Sequence, residues 1–140
     1  MELRNNLHTN IGWEITEHAF EEAQMITTGS NFLVGNGYLG YRGTLAEWRS
    51  DQYVACIVTD TYDQGEGDWV ELCNVPNPLF TRLLVEGQAL SIFEGKTSRY
   101  ARSLNLQEGV YSREQVWQGE SGPAVTLTVE RFASFQNVHL

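Results

Sequence analysis

The chain has 140 residues, the size of one domain or part of one, because two complete domains would both be undersized at this length. A composition of 41% hydrophobic and 19% charged residues excludes a disordered chain, and no apolar run approaches the ~18 residues of a membrane span. The net charge of -9 repels phosphate backbones and anionic lipids, so we expect no nucleic-acid partner and no membrane partner.

The N-terminus lacks the basic and then apolar layout of a secretory signal, which predicts a cytoplasmic protein. Cys56 and Cys73 form no CxxC pair and have no clustered histidines near them in sequence. We therefore expect two reduced thiols and no metal site.

The segment from Trp13 to Met25 mixes apolar and acidic residues without a regular period. A short helix and a strand remain equal alternatives there.

Residues 35–40 match the spacing GxGxxG after a short apolar run, and Asp60 lies twenty residues beyond Gly40, as in a dinucleotide-binding fingerprint. In that fingerprint the loop opens a helix whose N-terminus holds the pyrophosphate. Here another glycine, Gly43, lies where the helix would begin. The pattern favours a tight turn or bulge and no nucleotide cofactor, with a nicotinamide-dependent enzyme as the alternative.

After residue 50 the chain consists of short stretches rich in Val, Ile, Tyr, Trp and Thr, separated by Gly, Pro, Asn and Asp. This is typical of strands and turns at intervals of roughly ten residues. We predict a mainly β protein, an antiparallel β-sandwich of supersandwich type that is partial, with at most a short N-terminal helix. The whole range 1–140 forms one domain or fragment.

Two hairpins can be placed individually. The first joins residues 82–85 to 88–93 through Glu86 and Gly87, because glycine tolerates the positive φ of a two-residue turn. The second joins residues 110–118 to 124–135. Its second strand alternates apolar and polar residues, which predicts one buried and one wet face.

Carbohydrates bind to aromatic faces and to planar polar side chains, and two clusters offer both. One lies in the glycine-rich turn and the other in an acidic loop. The candidates for substrate binding or domain contact are Asn36, Tyr38, Arg42, Tyr62, Asp63, Trp69 and Glu71. For Arg42, burial beside an acid is favoured over ligand contact.

The tryptophans Trp48, Trp69 and Trp117 are favoured as core residues over sugar-stacking ones. The acidic runs 21–22 and 66–68 are favoured as solvated surface over a catalytic pair. The histidines are isolated from one another: His8, His18 and His139. We assign no catalytic residue to this chain.

Residues 32–43, preceded by Trp13 and an acidic stretch, resemble the opening of the family 65 glycoside hydrolases and phosphorylases, which include maltose, trehalose and kojibiose phosphorylases and acid trehalases. The similarity continues in family order through residues 61–63, 71–77 and 84–88, the pair Arg113 and Trp117, and residues 131–140. The chain departs from the family pattern at Cys56, Cys73 and Pro78.

The resemblance implies an N-terminal β-sandwich whose catalytic glutamate lies in a separate (α/α)6 barrel, absent here. It implies an enzyme that cleaves α-linked glucose disaccharides of the maltose, trehalose or kojibiose type by inverting phosphorolysis or hydrolysis, with inorganic phosphate as co-substrate of a phosphorylase and no other cofactor. This chain would be inactive alone. Its expected partners are the barrel and a second copy in a homodimer or other self-association, and the alternative is a free-standing carbohydrate-binding module.

Overall fold

A computed structural model describes residues 7–10, 12–47, 49, 53–65, 67 and 69–139. The architecture is mainly β, as predicted, with antiparallel pairing throughout the described sheets. The strands, in chain order, are β1 (Leu7–Asn10), β2 (Glu14–Glu17), β3 (Val34–Gly35), β4 (Leu39–Tyr41), β5 (Cys56–Val58), β6 (Tyr62–Gln64), β7 (Val70–Leu72), β8 (Leu84–Val85), β9 (Gln88–Ala89), β10 (Lys96–Asn105), β11 (Val110–Gln118) and β12 (Val125–Arg131).

The ambiguous N-terminal segment contains both predicted alternatives. Glu14–Glu17 is a strand, and a 3-10 turn at Glu22–Gln24 leads into the helix α1, Met25–Asn31. The helix carries two threonines and a glycine within seven residues, so its own propensity is weak and packing must hold it in place. The other strands before residue 50, β1, β3 and β4, were not predicted, because strands of two to four residues leave no visible alternation in sequence.

The largest sheet has five strands in the order β1-β2-β10-β11-β12. Its centre is the long hairpin of β10 and β11, and β12 pairs with β11 over seven residues, which confirms the predicted second hairpin. The predicted strand 124–135 ends earlier, at Arg131. The first predicted hairpin is also present around Glu86 and Gly87, both with positive φ, although its strands are only two residues long.

A three-stranded sheet, β3-β4-β5, packs over one face of the larger sheet. The core between these two layers is a cluster of buried residues from both sheets and from the end of α1: Phe32, Val34, Tyr41, Cys56, Leu104 and Tyr111. The rings of Phe32 and Tyr111 meet edge to face at 5.9 Å between centroids. Two small hairpins, β6-β7 and β8-β9, complete the described structure.

Candidate functional site

The glycine-rich motif is the turn of the β3-β4 hairpin. The Oδ1 atom of Asn36 accepts hydrogen bonds from the backbone N–H groups of Tyr38 and Leu39, both at 3.0 Å, and Gly37 has a φ of +88°. Residues beyond Gly40 continue as strand β4 and then as irregular backbone. No helix therefore opens after the motif, which confirms the tight turn and removes the basis for the dinucleotide interpretation.

The amide of Asn36 also ties the end of the chain to this turn. Its Nδ2 donates to the carbonyl oxygens of Ser134 at 2.7 Å and of Val138 at 3.0 Å. Beside it, the Tyr38 ring meets the ring of His139 edge to face at 4.6 Å between centroids. The predicted ligand-binding atoms of Asn36 are therefore occupied by the protein itself, and its role here is to position the segment after β12.

Arg42 does not join Asn36 and Tyr38. Its guanidinium is buried against α1, where it donates to the Ile26 carbonyl and, at 2.6 Å, to the Ser30 hydroxyl, and it lies 4.9 Å from the centre of the Tyr53 ring. Burial is the main cause that lowers its pKa. Burial was predicted correctly, but pairing with an acid was wrong within the described part of the chain, since a carbonyl and a hydroxyl satisfy the cation there.

The acidic loop forms the hairpin β6-β7, in which all six strand residues are exposed. Asp63 lies opposite Glu71, and Tyr62 lies opposite Leu72. Because side chains alternate along a strand, the two carboxylates share one face and the apolar side chains share the other. The hairpin thus presents two different faces to its surroundings.

The tryptophans divide between core and surface. Trp117 is 1% exposed and donates from Nε1 to the Glu94 carbonyl at 2.7 Å, which confirms the core prediction. Trp69 is 63% exposed, so the core prediction was wrong for it. The cause is its place beside the solvent-exposed strand β7, where no second layer covers it. Trp48 lies outside the described residues.

One cleft brings the two predicted clusters together. It has a volume of about 270 Å³ and lies between the β3-β4 turn and the β6-β7 hairpin, with Tyr38 and Tyr62 both in its lining. The other lining residues are mostly small or aliphatic: Gly37, Leu39, Gly40, Ile57, Val58, Thr59 and Leu72. The Thr59 hydroxyl is already bonded to the carbonyls of Gly37 and Tyr38. The cleft is therefore mainly apolar. The five other predicted residues are not in its lining: Asn36, Arg42, Asp63, Trp69 and Glu71.

Sequence reasoning missed the charged interior of the five-stranded sheet. Arg102 on β10 donates from Nε to Glu17 at 2.5 Å and also reaches the Thr28 hydroxyl at 2.7 Å, all in buried surroundings. Arg113 on β11 donates two hydrogen bonds to the Glu47 carboxylate, from Nη1 at 2.8 Å and from Nη2 at 2.5 Å. The available signal was the alternation of β10 and β11, which places both arginines in phase with Leu104, Tyr111 and Trp117.

The pair of Arg113 and Glu47 holds both of its members in their charged forms. Burial alone disfavours the charge on Arg113, but the hydrogen bond and the charge of Glu47 outweigh it and leave the pKa of Arg113 raised. For Glu47, burial would raise the pKa, whereas the hydrogen bond and charge of Arg113 lower it overall. A carboxylate held ionised in this way is a poor proton donor, so the pair is suited to structure and not to acid catalysis.

Two properties of the described residues concern metal binding and membrane crossing. No cluster of three or more His, Cys, Asp or Glu side chains with the placement for a metal ion occurs there. Nor does that part of the chain contain a helix with the length and apolar character needed to cross a bilayer.

Comparison with known proteins gives the same assignment as the resemblance. The family model described as "Glycosyl hydrolase family 65, N-terminal domain" matches residues 15–140. The 1,2-alpha-glucosylglycerol phosphorylase of Bacillus selenitireducens is 46% identical over 99% of this chain, which covers 18% of that protein. The nigerose phosphorylase of Lachnoclostridium phytofermentans is 35% identical over 93% of the chain, which covers 17% of it.

A solved structure agrees on the fold. It is described as "Putative kojibiose phosphorylase from human microbiome", and it superposes with a TM-score of 0.82 at 21% identity over 94% of this chain and 19% of that one. The chain thus spans less than a fifth of the length of these relatives. With a family match over nine-tenths of its residues, the chain belongs to glycosyl hydrolase family 65, of which it carries the N-terminal domain.

Proposed function

We propose that this chain is the non-catalytic scaffold domain of a phosphorylase that cleaves an α-linked glucoside with inorganic phosphate. The observation that carries the proposal is the 46% identity to a 1,2-alpha-glucosylglycerol phosphorylase over almost the whole chain, combined with coverage of only 18% of that protein. The remaining length would hold the catalytic barrel. The domain would cover one side of that barrel and contribute to an oligomer.

The chemistry of inverting phosphorolysis supports a non-catalytic role. The reaction needs a carboxylic acid that protonates the leaving oxygen, and a site of clustered donors that holds phosphate on the opposite face of the sugar. The two buried carboxylates here, Glu17 and Glu47, are each bonded to an arginine, and those arginines are in turn occupied by the carboxylates. These pairs leave neither Glu17 nor Glu47 available as a proton donor, and neither Arg102 nor Arg113 available to bind phosphate.

The surface that would meet the barrel is the one formed by the β3-β4 turn and the β6-β7 hairpin. Both elements line the same apolar cleft, and the hairpin exposes Tyr62, Val70 and Leu72 to solvent. Exposed apolar side chains gathered on one face mark a surface that another protein surface covers. The candidates Tyr38 and Tyr62 would then contact the barrel or the rim of its substrate pocket.

A chimera tests the scaffold role. This chain is fused to the part of the Bacillus selenitireducens enzyme that follows its matching region, and phosphorolysis of 1,2-α-glucosylglycerol is followed by release of glucose 1-phosphate. We expect activity from the chimera, and none from the 140-residue chain alone or from the remaining part alone. Release by the chain alone, abolished by Glu71→Gln or another change of its own acids, would contradict the proposal.

A second candidate is a carbohydrate-binding module, which the exposed side chains of Trp69 and Tyr62 favour. A module of this kind presents coplanar aromatic rings on one sheet face. Here the side chains of Trp69 and Glu71 both lie beside Gly65, on one face of the hairpin. Tyr62 lies with Leu72 on the opposite face, so the two aromatic rings are not on one face. The geometry is therefore unfavourable. Calorimetry of the chain with maltose, trehalose and kojibiose decides the matter, because millimolar binding would support the module and no heat would support the scaffold.

A further inference from the structure

A groove runs beside the edge of the five-stranded sheet. It has a volume of about 420 Å³ and lies between strand β12 and the segment 78–90. Leu127 and Val129 form the wall on the strand side, Leu79, Leu83 and Leu90 form much of the opposite wall, and Arg131 lines the groove at the end of the strand. The lining is mixed: aliphatic side chains face one another across the groove, and polar or charged residues, Glu47, Thr81, Thr128, Glu130 and Arg131, complete it.

The strand beside the groove has an open edge. β12 pairs with β11 in regular register over seven residues, and within the described residues no strand lies on its other side. The open edge is about 24 Å long at ~3.4 Å per residue. Edge strands are usually blocked by lysine, proline or a bulge. β12 contains none of these, and its inward residues Val125, Leu127 and Val129 are only half-buried.

Arg131 lacks the partner that the other inward arginines have. Arg102 is paired with Glu17 and Arg113 with Glu47, both at 2.5 Å. Arg131 is 7% exposed, donates from Nη1 to the Thr44 carbonyl and lies 5.0 Å from the centre of the Tyr111 ring. Its Nη2 is buried without a hydrogen-bond partner among the described residues. Burial, uncompensated by a bonded carboxylate, lowers the pKa of Arg131.

Arg113 Nε and Arg131 Nη2 are both buried without a hydrogen-bond partner among the described residues, but only Arg131 lines the groove and has no bonded carboxylate. An acceptor supplied at this point would satisfy a costly buried donor. The other two inward arginines each have a carboxylate, which makes a carboxylate the expected acceptor. Glu47 and Glu130 also line the groove, but both oxygens of Glu47 are held by Arg113, and Glu130 projects to the opposite face of β12 from Arg131.

We propose that the groove binds a further β-strand from the part of the full-length protein outside this chain, and that an inward Asp or Glu of that strand pairs with Arg131. The strand adds to the edge of β12 and lays alternate apolar side chains against Leu127 and Val129. This deepens the proposed function and rests on it, since the relatives are more than five times as long as the region matched here.

Two other occupants fit less well. A second copy adding its own β12 would present Val125, Leu127, Val129 and Arg131, which offer no carboxylate and place another cation nearby. A disaccharide would meet no aromatic ring among the lining residues on which to stack. An added strand would pair with the open backbone edge of β12, cover Leu127 and Val129, and bring an acceptor to Arg131.

Hydrogen exchange tests the proposal in the chimera described above and in the 140-residue chain, each diluted until it is monomeric. The readout is the exchange of the backbone amides of Val125–Arg131. We expect fast exchange on the open edge in the chain alone and loss of that fast exchange in the chimera. Arg131→Met should restore fast exchange in the chimera, and the control Arg99→Met, at an exposed ion pair with Glu114, should not.

Equal exchange in chain and chimera would overturn the added strand, and unchanged protection in the Arg131→Met chimera would overturn the carboxylate pairing. Protection that disappears on dilution of the chimera would assign the edge to a second copy instead. The native Bacillus selenitireducens enzyme is measured in parallel over the segment aligned with β12, where fast exchange would also refute the proposal. A protected but inactive chimera refutes the proposed function alone, and an active but unprotected chimera refutes only the strand.

Discussion

The inner face of β10 and β11 is buried and its arginines are bonded to Glu17 and Glu47, whereas all six strand residues of the β6-β7 hairpin are exposed. The two regions have comparable polarity in sequence, yet one contains the charged pairs that organise the interior and the other leaves its carboxylates in water. The difference shows that charge alone does not separate structural from surface roles in this chain. What separates them is whether a second layer covers the strand.

Trp117, which is buried, and Trp69, which is exposed, give the largest test of this comparison. Trp117→Ala should lower the free energy of unfolding by about 3 to 5 kcal/mol, because it removes a fully buried ring and its hydrogen bond to the Glu94 carbonyl. Trp69→Ala should change it by less than about 0.5 kcal/mol, because that ring is 63% exposed. Urea unfolding followed by circular dichroism measures both. Similar losses for the two variants would mean that β7 is covered as well as β11.

The buried ion pair of Glu47 and Arg113 gives the next effect. Glu47→Gln should cost about 3 kcal/mol, since it leaves the Arg113 cation buried with a neutral partner. The matched control is Glu114→Gln, which alters the exposed pair with Arg99 and should cost less than about 1 kcal/mol. A loss from the control equal to that from Glu47 would remove the distinction between interior and surface charge.

The Glu47 carboxylate should also make the stability of the folded chain depend on pH. Because the pKa of Glu47 is lower in the folded protein than in the unfolded chain, its contribution is fully present above the unfolded value of ~4.3 and is lost as pH falls through the folded value. Urea midpoints from pH 7 to pH 3 should therefore fall more steeply below about pH 4.3 in the unsubstituted chain than in Glu47→Gln. Parallel curves would show that Arg113 does not hold this group ionised.

Much of the fold followed from local pattern, and the failures have physical causes. The hairpin of β11 and β12 could be predicted because its strands are long enough to alternate and are joined by turn residues. The positive φ values at Glu86 and Gly87 followed from turn geometry in the same way. The two- and three-residue strands β3 and β4 were not predicted, because strands this short depend on pairing with other backbone and not on their own composition.

The candidate site was predicted less completely. Tyr38 and Tyr62 do meet in one cleft, but nothing in the sequence could show that β5 would bring the two segments side by side. The partners of Asn36 lie 98 and 102 residues away, so its role in tying down residues 134 to 138 depends on the completed fold. Among the described residues Arg42 has no acidic partner, because it donates to the backbone carbonyl of Ile26, which carries no sequence signal.

Asn36 offers a smaller and more selective test. Asn36→Asp keeps the acceptor for the backbone N–H groups of Tyr38 and Leu39 but places a carboxylate against the carbonyls of Ser134 and Val138. We expect a loss of about 1 to 3 kcal/mol, with faster hydrogen exchange after residue 132 and an intact turn. Asn36→Ala should disturb the turn as well. If the aspartate variant leaves exchange after residue 132 unchanged, the tie is not made by this amide.

The smallest effect on stability is expected at the exposed β6-β7 hairpin. This test asks directly whether that hairpin contributes to the interior of the isolated chain. The double change Tyr62→Ser and Leu72→Ser removes apolar area that is already in water, so the free energy of unfolding of this chain should change by less than about 0.5 kcal/mol. In the active chimera, the same change should weaken the contact with the barrel and lower the yield or thermal half-life of phosphorolytic activity. The matched control is Thr126→Ser on the solvent face of β12, which should leave both quantities unchanged. A large loss in the isolated chain would place the hairpin with the interior, whereas no loss in the chimera would show that the barrel does not cover this face.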